Sequence, residues 1–472
     1  MKRTLFLFAL VAWTGLLAQT IKCGSLEGDA HEHLKRDMEF LASDDLEGRL
    51  PGTEGANMAV SYIIRNFQEA NLAPFFAGGY TQQFNAPRPS ELPKSGNWLV
   101  LKNDTLFVEE GFVITPYSQS IRMEGSTRYL GAGISGIHYQ PSDLLGQIVA
   151  MDWALTDKDQ KRYSKAGMPE IGTLFDRIEA AKNAGAKAIL LLDRKNKKPV
   201  PQMMLRRMRD LGIPVAIISG KKWVRKMRHD QKTISFKMTL LERGAEAYNV
   251  AGYLDNGQPT TMIIGAHYDH VGLGKWGSRD PTANGQIHNG ADDNASGTAV
   301  LLELVRQFSK RPEVQGRNVL FIAFSAEEDG LLGSTFFVEN SPIPIHDFAY
   351  MLNIDMVGRL NRADSLMVYA TSSAQEWNTI LRDMPCDAYG IENIPALFPR
   401  SDHASFVRAG IPAIMLHTGL HEDYHGPTDD LNKIDMDGLV KVTEATLEIA
   451  RRAQAHPRLT FVDIAQRSPR VQ

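Results

Sequence analysis

Apolar residues recur along the first part of the chain with a period close to that of a helix. Leu34, Met38 and Leu41 share one such face, and Val60, Ile63, Ile64 and Phe67 share another. Gly48-Arg49-Leu50-Pro51-Gly52-Thr53 between them is a loop by composition. Residues 76–100, rich in Gly, Pro, Gln and Asn, read as a linker. Beyond them the pattern shortens. Gln147 to Met151, Ala188 to Leu192 and Val215 to Ile218 are apolar runs of strand length, the last opened by Pro214. Ile178 to Ala184 has helical spacing and stops at Gly185, so at least one βαβ unit is predicted here. Lys and Arg crowd the stretch Arg194 to Arg228, which reads as a solvated face, and no catalytic grouping accompanies it.

From about residue 246 the apolar runs become continuous. Met262 to Ala266, Val319 to Phe324 and Ala413 to Leu416 contain no polar residue. Such runs suit strands covered on both faces of a mostly parallel sheet. Thr298 to Phe308 lies between the first two and places Val300, Leu301, Leu304 and Phe308 on one helical face. This alternation predicts an α/β fold with a twisted, mostly parallel sheet flanked by helices. Sheets of that kind hold ligands at the carboxyl ends of their strands.

Composition changes the picture only at the margins. A chain of 472 residues predicts two or three compact units. A net charge of −3 gives no electrostatic case for a nucleic-acid or membrane partner. Lys2 and Arg3, the apolar run Leu5 to Leu17 and the small Ala18 read as a signal peptide over residues 1–18. The run is short for a span, so the mature chain is expected to be exported, periplasmic or secreted, without stable membrane insertion. Export permits a disulfide, but Cys23 and Cys386 are too far apart in sequence to require one.

Candidate chemistry gathers at the ends of the continuous runs. His267-Tyr268-Asp269 follows the first, and a ligating histidine commonly has a carboxylate partner such as Asp269. Asn289-Gly290-Ala291-Asp292-Asp293-Asn294-Ala295-Ser296-Gly297 precedes the helix, with more acids and amides than a cap needs; a carboxylate there could bridge two cations. Glu327-Glu328 follows the second run, and neighbours on an extended segment point to opposite sides, so one can ligate while the other faces the cleft. Asp355 ends the run from Tyr350, and His425 follows the last strand. Oxygen and imidazole donors without cysteine suit zinc, manganese or cobalt. Three carboxylates and two neutral imidazoles would largely balance a pair of divalent ions, with zinc the default.

At these residues the sequence closely resembles family 28 of the metallopeptidases, which includes secreted bacterial leucyl aminopeptidases, glutamate carboxypeptidase II and glutaminyl cyclases. Gly265 to Gly272, Gly290 to Gly297 and Ser325-Ala326-Glu327-Glu328 carry the resemblance, and Leu41 to Arg49 is similar to the family's opening segment. Asp143 to Val149, Ala184 to Ala188 and Ile213 to Ala216 look like a protease-associated insert.

The resemblance implies a division into the leader, an N-terminal catalytic segment over 24–95, the insert over 96–242, the main catalytic domain over 243–456 and a tail over 457–472. It also implies two zinc ions. Asp292 would bridge them, Glu328 and His425 would complete one position, and His267 and Asp355 the other. Glu327 would be the general base and Asp269 would support His267. Asp402 and His403 would line the substrate pocket, and the Asp292-Asp293 peptide would be cis. The implied activity is removal of N-terminal residues from peptide substrates. Two rivals are a carboxypeptidase of acidic dipeptides, using Arg359, Arg362 or Arg400 for the terminal carboxylate, and glutaminyl cyclisation, which one zinc would serve. A third is a non-enzymatic binding module on the same fold.

Overall fold

The computed structural model describes residues 26–464 apart from 92–95, 108–110, 115–120, 156–160, 162–173, 194–212, 230–232, 239–240, 276, 281, 312–315, 364, 383, 385–389 and 457. The leader over 1–18, Cys23, Cys386, much of the basic stretch from Arg194 and most of the 457–472 tail lie outside the described residues.

The helical periodicity at the start forms α1 (Ala30–Leu41) and α2 (Glu54–Glu69). Thr53 caps α2 by accepting from the Ala56 N–H. The continuous runs form β1 (Thr261–His267), β2 (Asn318–Phe324), β3 (Phe348–Ile354) and β4 (Ala413–His417). These four are parallel neighbours in the order β2-β1-β3-β4. Antiparallel strands extend both sides, Leu241–Leu254 beside β2 and Ser365–Tyr369 beside β4. The fold is thus α/β, with its parallel part concentrated in the four central strands.

Helix α3 (Gly297–Lys310) and helix α4 (Met436–Gln454) lie with α1 and α2 on one face. There Met262, Ile264, Phe321, Leu352 and Leu416 pack against Leu34, Ile63, Leu301 and Ile449. On the other face Ile263, Leu320, Ile322 and Met351 meet Phe337 and Phe406. Alternate residues of each strand therefore enter separate cores, and both are apolar. This is why the runs show no alternation.

Residues 76–100 are not simply a linker. Thr81–Glu91 is a strand, paired antiparallel with Leu241–Leu254 from Thr81 opposite Val250 to Glu91 opposite Leu241. Backbone ladder bonds hold this edge, and over residues 81–86, where burial is described, Phe84 and Ala86 are buried, too short an alternation to stand out in sequence. Between these two strands the chain builds a second sheet. Its centre is parallel, in the order Ile121–Tyr129, Ile148–Asp152, Ala188–Leu192, Val215–Ile218. The helix Leu174–Asn183 joins the middle two strands, as the βαβ pattern predicts.

Candidate metal centre

Strand β1 ends on His267, and the chain then turns so that Asp269 meets the segment after β2. The Asp269 carboxylate accepts from the backbone N–H of Glu327 (3.1 Å) and of Glu328 (3.4 Å). Glu327 and Glu328 therefore sit in a turn, not on extended chain, and Ala326 before them has φ 55°. His267 Nδ1 faces the Asp269 main-chain oxygen at 3.1 Å, and the Asp269 carboxylate stands at 3.8 Å. The expected partner is present, but its nearest contact to the ring is the carbonyl.

The segment Ala291–Ser296 carries the two adjacent carboxylates Asp292 and Asp293. Asp292 is turned away from the cluster. Its Oδ1 accepts from the Gly358 N–H (2.6 Å) and Ser296 Oγ (3.1 Å), and its Oδ2 lies 3.0 Å from His421 Nε2. Asp293 takes the place expected of Asp292. Its Oδ1 is 3.4 Å from His267 Nε2 and its Oδ2 is 3.1 Å from His425 Nε2. The backbone leaves helical angles at Asp293 and Asn294, and the cis peptide is Asp293-Asn294, one step beyond the expected one. Asn294 then links two strand ends, donating to His267 O (3.2 Å) and Ile354 O (3.0 Å).

Two groups of donors share Asp293. In the first, His267 Nε2 is 3.3 Å from Asp355 Oδ1. In the second, His425 Nε2 is 3.0 Å from Glu328 Oε2, and His270 Nδ1 is 2.8 Å from Glu328 Oε1. Ligands of a tetrahedral zinc with bonds near 2.0–2.1 Å stand about 3.3 Å apart, so His267 with Asp355, and His425 with Glu328, each have together with Asp293 the spacing of a shared ion. The imidazoles fit as well. His425 Nδ1 faces Gly277 O at 2.9 Å and His267 Nδ1 faces a carbonyl, leaving each Nε2 toward the carboxylates. Of the five expected ligands the structure brings together His267, Glu328, Asp355 and His425. It supplies Asp293 for the fifth.

The electrostatics are those of crowded buried charge. Burial lowers His425, but Glu328 and Asp293 outweigh it and lift it to about 10. Burial likewise opposes His267, which Glu327 and Asp355 raise well above its ordinary value. Burial and then Glu328 push Asp293 up to about 7. Glu327 is raised well above the carboxylate range by burial first, with Glu328, Asp402 and Asp355 adding to it against His267. These shifts favour the protonated imidazoles, so a cation entering the site competes with protons. Zinc binding is expected to release protons and to strengthen as pH rises from 6 to 8, by roughly tenfold per unit for each proton released. Calorimetry in two buffers of different ionisation enthalpy measures the proton count, and a pH-independent affinity would contradict these protonation states.

Asp402 and His403 are fully buried at the start of the short helix His403–Arg408. Burial lifts Asp402 to about 6, partly opposed by His267, and lowers His403 to about 3. Asp402 thus belongs to the same charged neighbourhood as Glu327. Arg359, a candidate receptor for a terminal carboxylate, is buried and committed to Asp429 (2.9 Å) and Asp423 (3.4 Å). Arg362 is occupied by Glu422 at 2.8 Å.

Sequence reasoning gave no role to two further residues. His270 is one. The other is Arg49, a fully buried guanidinium that donates to Leu41 O, Asn289 O (2.6 Å), Gly290 O (3.0 Å) and Tyr268 O (2.7 Å). It joins the end of α1 to the His267 turn and the Asp293 loop. Burial brings it down to about 10, so it stays charged near neutrality. Arg49→Met strands four buried carbonyls and is expected to cost at least about 3 kcal/mol of stability, read as a lower urea midpoint. An unchanged midpoint would show that water replaces the guanidinium. The length of the Leu41 to Arg49 match was the one sequence signal for it.

The sequence profile of peptidase family M28 matches residues 249–450. Aminopeptidase YwaD of Bacillus subtilis is 26% identical over 293 residues, covering 59% of this chain; the chain spans only 61% of that relative's length. An aminopeptidase of Pseudomonas aeruginosa is 26% identical over 456 residues, covering 89% of this chain and 78% of that protein. The solved structure of BSAP, a zinc aminopeptidase from Bacillus subtilis, matches with a TM-score of 0.55 at 21% identity, over 91% of this chain and 95% of the other, and so shares the fold. The profile falls on the strands and turns that carry His267, Asp293, Glu328, Asp355 and His425, so the match to peptidase family M28 covers the part of the chain that holds the candidate centre.

Proposed function

We infer that this chain is a zinc exopeptidase of the aminopeptidase type, acting on peptide substrates with two zinc ions. The observation that carries this reading is the shared carboxylate. Asp293 directs one oxygen to His267 and the other to His425, with Asp355 and Glu328 completing the two groups. Zinc is favoured by the donor set and by the zinc aminopeptidase that shares the fold. When bound, such ions supply Lewis acidity for a water nucleophile and for the scissile carbonyl.

The residues of the chain do the rest. Glu327 stands in a turn pinned by Asp269, beside the two groups of donors. It takes the proton of the attacking water and passes it to the leaving amine, as base and then as acid. Burial first, and then the neighbouring carboxylates, raise Glu327 above the ordinary carboxylate range, which favours its holding a proton. Buried Asp402 provides negative charge near the site, which suits a substrate bearing a free α-ammonium group. A carboxypeptidase needs a free cation instead; Arg359 and Arg362 are paired, which leaves that reading with the exposed Arg400 alone of its three candidates.

The reading includes export, on the leader over residues 1–18, and a protease-associated insert over 96–242, on the second sheet entered and left through paired strands. No described helix is long and apolar enough to cross a membrane. The test compares amino-acid anilides and short peptides with free and acetylated N-termini. Hydrolysis of the free forms with loss on chelation and recovery on added zinc is expected. Equal cleavage of acetylated peptides would overturn the aminopeptidase assignment.

A further inference from the structure

The side chain of His270 is buried just beyond β1, and it reaches pieces of chain that carry three donors of the centre. Its Nδ1 is 2.8 Å from Glu328 Oε1. Its ring meets that of His425 edge to face, centroids 5.5 Å apart. It also lies against Gly290, at the head of the Asp293 loop. A Cβ there would come within 2.5 Å of the His270 ring carbons, and the Gly290 φ of 57° is left-handed. A side chain at 290 and the ring at 270 exclude each other.

Distances separate two roles for this ring. The atoms nearest His425 Nε2 are Glu328 Oε2 at 3.0 Å and Asp293 Oδ2 at 3.1 Å, close to the edge of a zinc tetrahedron. His270 Nδ1 stands 2.8 Å from the other Glu328 oxygen instead, close enough for a hydrogen bond although the two groups are not aligned as one here. It lies 3.9 Å from Asp293 Oδ2, longer than such an edge. A carboxylate that commits Oε2 to an ion still needs Oε1 fixed, and an imidazole with its proton on Nδ1 offers that donor. Resting on the two-zinc reading above, we propose that His270 is a positioning residue of the second zinc position. It holds Glu328 through Oε1 so that Oε2 faces His425 and Asp293.

Calorimetric zinc titration of the metal-free full chain tests this, with thermal unfolding of the same samples read alongside. The wild type takes up two ions in two steps. His270→Leu weakens one step 10–100-fold and leaves the other unchanged. His270→Asn recovers most of the loss, because its amide nitrogen sits close to where Nδ1 stands. Wild-type affinity at both steps in His270→Leu overturns the assignment. So does equal weakening of both steps alongside lost thermal stability, or an asparagine variant no better than the leucine one. Uptake of fewer than two ions by the wild type overturns the two-zinc reading itself, and the role of His270 with it.

Discussion

Glu327→Gln is expected to bind zinc as the wild type does and to lose about 10²–10⁴-fold in kcat, with KM little changed. Glutamine keeps the size and shape of the side chain. The turn beneath it is held by the Asp269 carboxylate through the N–H groups of residues 327 and 328, which the substitution leaves in place. Only proton acceptance is removed. The side chain is nearly buried, so bulk water has poor access to replace it. Metal content by elemental analysis and kcat on an amino-acid anilide check the two halves together. A variant with both ions and near-normal kcat removes Glu327 from the reaction, whereas one with missing ions makes it a ligand instead.

Asp293→Asn is expected to weaken zinc uptake at both positions by more than about 100-fold, beyond the range for partners outside the metal. Asp292→Asn keeps both ions at saturating zinc. Asp293 has an oxygen in each group, so under the proposed two-zinc reading its charge would serve both ions. Asp292 instead ties its loop to Gly358, Ser296 and His421, and its loss reads as lower stability. Asp429 anchors the same loop by accepting from both backbone N–H groups, at 2.9 and 3.1 Å. Zinc titration of the two variants side by side decides between adjacent carboxylates. Intact uptake in the Asp293 variant with loss in the Asp292 variant would falsify the placement seen here.

Those adjacent carboxylates also show where sequence reading stops. Four of the five expected ligands, His267, Glu328, Asp355 and His425, follow strands whose continuous apolar runs are visible in the chain. Strand ends can be located from such runs to within a residue or two. Asp292 and Asp293 lie in a segment with neither helical nor strand periodicity, since Asp293 (φ −107°, ψ 92°) and Asn294 (φ −133°, ψ 46°) leave both. No periodic rule says which of two neighbouring acids turns inward there. The pair Glu327 and Glu328 was divided by an alternation that the turn does not possess. The strand Thr81–Glu91 was hidden for a different reason, since a polar edge is held by backbone bonds that composition does not reveal. Arg49 contributes through carbonyl oxygens at Leu41, Tyr268, Asn289 and Gly290, and backbone acceptors leave no mark in a sequence.

The pairing of Thr81–Glu91 with Leu241–Leu254 bears on how the gene can be cut. A fragment confined to the recognisable segment 249–450 would begin inside the second of these strands and discard α1, α2 and Arg49. Leu301 and Ile449 would lose Leu34 and Ile63, their partners in one core. The two strands run side by side where the chain departs and returns, so a short turn could join them in place of everything between. A cut at the ends thus removes core partners, whereas an internal join between the paired strands leaves the first helices in place.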